Sequence, residues 1–290
     1  MKKITIFTPT YNRAHLLPNL YNYLIEENYG NLEWIIVDDG SSDNTKEVIN
    51  SFEKQSSLKI KYFYQTNQGK HVAYNKAIEQ ATGDLFICID SDDTYEKNSL
   101  ARLVEYWDRL DNNDYAGICY LSRNKSGGMI GTKFPNDEMD SNLIDIYYKH
   151  HVKGDKGIMF NTEVLKKYRF PVYESEKFMT ESILYAKIGL DYKMKFINSI
   201  HEVVEYQANG LSNKYRKLML LNPKGSLLNY SLISKYKLKG IMKYRTMIQL
   251  ARFTFINKES WKKSFRGCNF DLLFLLLTPI GWILSKKIIK

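Results

Sequence analysis

The chain has 290 residues, a formal net charge of +10 and 44% hydrophobic side chains, enough apolar content for a full core and room for one large domain with an appendage. Its three cysteines, Cys88, Cys119 and Cys268, lie far apart, which argues against a disulfide scaffold or zinc cluster and fits a reducing compartment. The charge is uneven: residues 211–290 carry 17 basic and 2 acidic side chains, whereas residues 1–210 carry 25 and 30, so the tail is expected to meet a polyanionic partner.

Met1-Lys2-Lys3 runs directly into Ile4–Phe7. That apolar stretch is too short for a signal peptide, and a cytoplasmic chain is expected. Lys3–Thr8 reads as a strand, Thr8–Arg13 as a turn, and His15–Glu27 as a helix with Leu16, Leu20 and Leu24 at i, i+4 spacing. Trp34–Val37 is a second strand that ends in Asp38-Asp39-Gly40-Ser41. Asn44 and Glu47 read as a helix capping pair ahead of Val48, Ile49 and Phe52. Leu58–Tyr64 is a third strand. Lys70–Ala81 is a helix with Ala73, Ala77 and Ala81 on one side and Gly83 as its stop. Leu85–Asp90 has the length and content of a buried fourth strand, and Leu100, Leu103, Val104 and Trp107 mark the next helix. Four strand–helix alternations predict an α/β fold with a parallel, doubly wound sheet.

Beyond Tyr115 the alternation breaks down. Tyr115–Leu121 reads as a strand, Gly127-Gly128 as the turn of a hairpin running through Phe134, and Asp140–His150, Thr162–Tyr168 and Ser182–Gly189 as helices. Gly154-Asp155-Lys156 reads equally as a simple loop or as a segment facing the donor phosphates or the acceptor. Tyr192–Ile197 and Glu202–Tyr206 read as two strands, with His201 as a surface or turn residue before the second. A boundary is placed near Leu211, where the charge changes sign. The tail reads as helical over Leu227–Tyr236, Ile241–Phe255 and from Trp261 onward.

Three stretches carry chemistry. Asp90-Ser91-Asp92-Asp93 crowds three carboxylates at the end of a buried strand, where open α/β sheets bind ligands. Helix capping would account for one acid. Three favour a hard divalent cation that also grips a diphosphate. Asp39, in the turn after the second strand, is a candidate ribose or base ligand, although turn formation is an equal reading. Pro9 and Tyr11, in the first turn, offer a platform for a nucleobase. No Gly-x-x-x-x-Gly-Lys loop is present, which speaks against P-loop phosphate chemistry.

Thr8–Arg13, Val37–Ser41, Asn67-Gln68-Gly69 with Asn75-Lys76-Ala77, and Ile89–Asp93 stand in the order and spacing of glycosyltransferase family 2. The resemblance is strong over residues 1–110, weaker to about 210 and absent over the tail. It implies a GT-A (Rossmann-like) fold, a mixed, mostly parallel sheet flanked by helices, here with a basic helical C-terminal extension. Residues 1–210 would form the catalytic domain, with 1–110 as its nucleotide half and 111–210 as its acceptor half, followed by 211–290. It further implies that Thr8, Pro9, Tyr11 and Asp39 hold the base, most often uracil. Lys70 would lie near the nucleotide, Asp90 at the ribose, Ser91 among the donor-binding residues, and Asp92 on Mn²⁺ or Mg²⁺. Inverting members take the acceptor proton with a carboxylate at a helix start in the second half of the domain, which points to Glu181, with Glu176 in reserve. The sequence departs from the family pattern twice. The second acid of that pair is missing, and Glu205–Gly210 has no metal histidine.

Phe270–Leu284 is mostly apolar but interrupted by Asp271 and Pro279, and it is flanked by Lys262, Lys263 and Arg266 on one side and Lys286, Lys287 and Lys290 on the other. It is too short to span a bilayer. Residues 262–290 are expected to lie on the inner face of the membrane; packing on the catalytic domain or on a second copy of the tail is the alternative. Nucleic acid is not expected. The overall expectation is an inverting glycosyltransferase moving a sugar from a UDP-type donor to a cell-surface glycan or lipid-linked acceptor. The rivals are an inactive sugar-nucleotide-binding module and a nucleotidyltransferase.

Overall fold

A computed structural model of the chain describes residues 1–27, 29–110, 114–205 and 211–286. The first half alternates as expected: β1 (Ile4–Thr10), α1 (Leu17–Glu26), β2 (Leu32–Asp38), α2 (Thr45–Gln55), β3 (Lys59–Tyr64), α3 (Lys70–Gln80), β4 (Leu85–Cys88), then the two-residue β5 (Thr94–Tyr95) and α4 (Ser99–Asp108). β3, β2, β1 and β4 lie side by side and parallel. Their side chains alternate between two covered faces. Ile4, Ile6, Trp34, Ile36, Leu85 and Ile87 pack beneath α1, α2 and α4. Phe7, Ile35, Val37 and Phe86 pack against Ala73 and Ala77 of α3 on the other side. Burial on both faces explains why these strands read as continuous apolar runs.

The second half continues with β6 (Tyr115–Asn124), β7 (Met139–Ser141), α5 (Leu143–Tyr148), β8 (Lys156–Asn161), α6 (Thr162–Leu165), α7 (Ser182–Ile188) and β9 (Lys193–Val204). The sheet order is β3-β2-β1-β4-β8-β6-β9-β5, with β7 also paired to β9. β8 runs antiparallel to β4 and β6, so the sheet is mixed and mostly parallel.

Several expectations change here. β8 occupies a central position, although the sequence predicts no strand there. Its Gly157 masks the strand signal, and the glycine is there for space: a Cβ would stand 2.0 Å from the Tyr120 ring. Gly117 on β6 does the same for the Met159 carbonyl, at 2.1 Å. The two strands expected at Tyr192–Ile197 and Glu202–Tyr206 are one strand, β9, whose pairing with β6 shifts register between Tyr120 and Ser122 and so breaks the alternation. His201 is therefore not a turn residue. It is fully buried in β9, edge-on to Tyr106 and Tyr120, and burial pushes its imidazole down to about 4. The hairpin around Gly127-Gly128 reduces to a turn with one bridge, Arg123 to Met129. The helix expected over Asp140–His150 begins only at Leu143, where Asn142 caps it by accepting from the Asp145 amide at 2.9 Å. Thr162–Tyr168 is helical for a single turn, α6. Asn44 makes no side-chain cap on α2; Asp43 accepts instead from the Thr45 amide (3.2 Å), the Thr45 hydroxyl (2.6 Å) and the Ala14 amide (3.0 Å).

The basic tail is helical as expected, but with one more helix than read, α8 (Leu211–Leu221), ahead of α9 (Pro223–Ile233) and α10 (Gly240–Ile256), and with the stretch from Trp261 onward divided into α11 (Trp261–Gly267) and α12 (Leu272–Lys286). α9 joins the main core through Leu232 and Ile233. α10, α11 and α12 share a satellite core around Met247, Leu250, Ala251, Cys268 and Phe274.

Away from the strand ends that carry the acidic motifs, one buried carboxylate ties the parallel strands together. Glu33 of β2 accepts from the Thr5 hydroxyl (2.6 Å), the Thr82 amide (2.6 Å) and the ammonium groups of Lys3 (2.9 Å) and Lys61 (3.1 Å). Burial alone would raise its pKa, but the hydrogen bonds from Thr5, Thr82 and Lys3 outweigh that and hold it well below the usual 4.5. Glu33→Ala should therefore cost about 3 kcal/mol or more in urea unfolding at neutral pH. The depressed pKa makes this stabilisation present above the ordinary glutamate range and lost in acid, so the gap between the two proteins should narrow as pH falls from about 5 to about 3.

Candidate active site

The turns after β1, β2 and β4 converge at the carboxyl ends of the parallel strands. The β1 turn bends through Asn12 at φ 52°, a left-handed conformation that asparagine tolerates. Its amide donates to Ser41 Oγ (2.8 Å) and its side chain accepts from the Ser42 amide (2.8 Å), which joins the first turn to the second. In the second turn Asp38 accepts from the Ser41 amide and the Tyr62 hydroxyl, each at 2.8 Å. Asp39 accepts from Gln65 Nε2 (2.7 Å) and from the amides of Gln68 and Gly69 (2.8 Å each). The Asp39 carboxylate thus folds residues 65–69 back over the strand ends. Gly69, at φ +99°, then presses so close to the segment before α7 that a Cβ would stand 1.9 Å from the Lys177 carbonyl oxygen. This close approach brings the start of α3 against the start of α7.

Lys70 opens α3 and Glu181 stands at the N-cap of α7. The Lys70 ammonium lies 2.8 Å from Asp90 Oδ1 and 2.9 Å from Glu181 Oε1, and the Tyr185 hydroxyl donates to Glu181 Oε2 at 2.9 Å. Arg13 pairs with Asp92 at 3.0 Å and reaches Ser91 Oγ at 3.3 Å. Beside them Asp93 accepts from the Glu205 amide (3.0 Å), and Ser122 donates to Glu202 at 2.5 Å.

The electrostatics follow from this crowding. Burial alone would lower the Lys70 pKa, but Asp90 and Glu181 outweigh it and hold the ammonium well above its usual value. Burial raises the Asp92 carboxyl, opposed by Arg13. Burial, with Asp90 and Glu202 nearby, pushes Asp93 up to about 9. Burial and Asp90 push Glu202 up to about 7 despite its bond to Ser122. Carboxyls that resist ionisation next to one another mark a place where added positive charge is stabilised.

The structure brings Lys70, Asp90 and Glu181 together in one bridge, with Ser91 and Asp92 beside them on Arg13. Tyr11 stands exposed at the lip, with Pro9 half-buried beside it. Thr8 needs correction: it is fully buried and its hydroxyl accepts from Trp34 Nε1 at 2.9 Å, so its side chain supports the floor of the site. Asp39 is also buried, its oxygens engaged by the loop it holds. The reserve base Glu176 is only 4% exposed and caps α9, accepting from the Lys224 amide (2.6 Å) and the Gly225 amide (2.8 Å); its carboxylate is committed to the fold. Sequence reasoning did not single out Arg13, Tyr185 or Glu202. Arg13 lies inside a quoted motif and could have been weighed as a partner for the acids. Tyr185 follows Glu181 at i+4. Nothing in the sequence announces Glu202, because the register of β9 places it.

Among the described residues no group of three or more His, Cys, Asp or Glu side chains forms a ready metal cage. The hard oxygens of Asp90 and Asp92 nevertheless fit Mg²⁺ or Mn²⁺, which bind through one or two carboxylates and complete their shell with substrate phosphates and water. Of the stretch Glu205–Gly210, which matches the family's metal-histidine position, residues 206–210 lie outside the described residues.

Residues 5–174 match the profile of Glycosyl transferase family 2. A Nostoc protein described as uncharacterized glycosyltransferase alr2836 is 29% identical over 177 residues, 59% of this chain and 54% of its own length. The GalNAc(5)-diNAcBac-PP-undecaprenol beta-1,3-glucosyltransferase of Campylobacter jejuni is 34% identical over 107 residues, 36% of this chain and 34% of that protein. The chain thus spans about half, or less, of the curated relatives it matches. Among solved structures, S. aureus TarS 1-349 in complex with UDP superposes with a TM-score of 0.63 at 19% identity, covering 97% of this chain and 83% of that one. Mannosyltransferase PcManGT from Pyrobaculum calidifontis, in complex with GDP-Man and Mn2+, superposes with a TM-score of 0.56 at 15% identity, covering 98% and 88%. These likenesses establish a GT-A architecture, and with the profile match over more than half its length the chain belongs to glycosyltransferase family 2.

Proposed function

We propose that the chain is an inverting, metal-dependent glycosyltransferase that moves a sugar from a nucleotide-diphosphate donor, with UDP as the favoured nucleotide, to an acceptor hydroxyl of a cell-surface glycan or lipid-linked intermediate. The observation that carries this reading is the Asp90–Lys70–Glu181 bridge; in this reading Asp90 would be the donor-side acid and Glu181 the acceptor-side base. Tyr11 and Pro9 would face the base of the nucleotide, and Asp39 would hold the wall behind it. Asp90 and Ser91 would meet the ribose, and Asp92 would hold Mn²⁺ or Mg²⁺. The ion, when bound, supplies Lewis-acid neutralisation of the departing diphosphate. Lys70 and Arg13 would add fixed positive charge on the phosphate side. Glu181, oriented by Lys70 and Tyr185, would take the proton from the acceptor hydroxyl. That oxygen bonds to the anomeric carbon as the carbon–phosphate oxygen bond breaks, from the opposite face. Residues 1–210 would carry the chemistry. Residues 211–290 would attach the enzyme to the inner face of the membrane, with oligomerisation through the same region as the competing use. Support for an envelope acceptor comes from the undecaprenol-linked substrate in the name of the C. jejuni relative.

Three outcomes are expected. Glu181→Gln should lower transfer by roughly 10²–10⁴-fold while UDP still binds in calorimetry; unchanged transfer would remove Glu181 from the mechanism. Across UDP-, GDP- and dTDP-sugars, donor turnover should favour one nucleotide, stop on chelation and return with Mn²⁺ or Mg²⁺; turnover that ignores chelation would exclude the metal role of Asp92. In metal-free protein, nucleotide affinity should fall as pH rises, because Glu202 gains negative charge near 7 and Asp93 near 9. Glu202→Gln should flatten the first part of that decline.

A further inference from the structure

We infer that α12 lies flat in the headgroup layer of an anionic phospholipid bilayer, and that its outward stripe of Leu272, Leu276, Ile280 and Ile283 is the surface that enters lipid. The inference deepens the membrane reading above by naming the face and its orientation. A helix on a globular protein turns its apolar side inward and its polar side to water. α12 does not. Its inward side is Phe274, Gly281 and Ser285, all buried. Its opposite side is apolar as well, with Leu272 70%, Leu276 74%, Ile280 44% and Ile283 53% exposed. These positions recur at four, four and three residues, which is one line along a helix.

The stripe is held at a fixed angle. At Gly281 a Cβ would stand 2.5 Å from the Ala251 Cβ, so α12 rests almost backbone to side chain on α10. Phe274 anchors its other end in the satellite core. The helix has 15 residues, about 22 Å at ~1.5 Å per residue against a hydrocarbon core of ~30 Å. Among the described residues no helix is long and apolar enough to cross a membrane. An outward apolar stripe on a helix too short to cross fits burial in the interface plane.

The rim chooses the occupant. Trp282 borders the stripe, 46% exposed, with the Lys286 ammonium 3.7 Å from its ring centroid. Trp261 and Phe270 are exposed nearby in sequence, with Lys262, Lys263 and Arg266. Exposed tryptophan beside lysine is the pattern of a membrane–water interface. The two acids of residues 211–290 are already engaged, Asp271 with Lys243 at 2.7 Å and Glu259 with Lys263 at 2.8 Å. The region therefore presents an excess of positive charge around an apolar line, complementary to an anionic leaflet. A second copy of the chain would bring like charge against like.

The test uses the full chain and vesicles of phosphatidylglycerol with phosphatidylethanolamine, with phosphatidylcholine vesicles as the neutral control. The chain should co-sediment with the anionic vesicles, and less at high salt. The triple variant Leu272→Glu, Leu276→Glu, Ile283→Glu should partition at least about tenfold more weakly, with the same melting temperature and the same donor turnover in solution. To separate binding from any change in folding, a second measurement keeps all four stripe residues: in Trp261→Phe protein, lipids brominated in the acyl chain should quench Trp282 emission. Equal binding of wild type and triple variant, or no quenching of Trp282, overturns the assignment of the face while leaving attachment by charge alone. Absence of binding by the wild type overturns membrane attachment as well, and leaves the catalytic reading to its own tests. A wild-type dimer in solution that the triple variant makes monomeric, with vesicles ignored, assigns the stripe to a second copy instead.

Discussion

Mutual repulsion among carboxylates governs the carboxyl edge of this sheet. Asp90, Asp92, Asp93, Glu181 and Glu202 are brought together by the turn after β4, the start of α7 and the end of β9. Two cationic side chains keep the arrangement folded: Lys70 between Asp90 and Glu181, and Arg13 on Asp92. Burial and mutual charge keep Asp93 and Glu202 from ionising readily. Such a cluster is costly to hold without added positive charge and becomes favourable when a divalent ion or a basic contact joins it. On the reading proposed above, the same property would favour a metal–diphosphate pair at this edge.

The two halves of the site are joined by backbone contact rather than by a hinge. Asp39 gathers the 65–69 loop through two amides and one side-chain amide. Gly69 lets that loop meet the Lys177 carbonyl without a side chain between them. Glu176, four residues before the end of that segment at Thr180, caps α9, and Asn229 of α9 accepts from Ser182 at the start of α7. The position of Glu181 is thus set from one side by the loop that precedes α3 and from the other by α9. The basic extension therefore has a structural part, α9, and an outer part, α10 to α12, that rests on its own small core. The outer part carries the apolar stripe.

Periodicity and composition alone determined the first four strand–helix units, the strand-end position of Asp39 and Asp90–Asp93, and the helical, basic character of the tail. These are local properties: a strand buried on both faces must be apolar along its length, and a helix leaves its 3.6-residue period in the sequence. The motifs placed the chain near a known family because their order along the chain survives without any knowledge of contacts. Tertiary structure decided the rest. It made Lys156–Asn161 a central strand, because Gly157 answers to the ring of Tyr120, which lies far away in sequence. It buried His201 and Thr8, committed Glu176 to a helix cap, and drew in Arg13, Tyr185 and Glu202. It also showed that α12 turns apolar residues outward, since only packing on α10 fixes which side of an apolar helix is inside. In each case the deciding partner lies on another element, and a sequence records no distance between residues that meet only after folding.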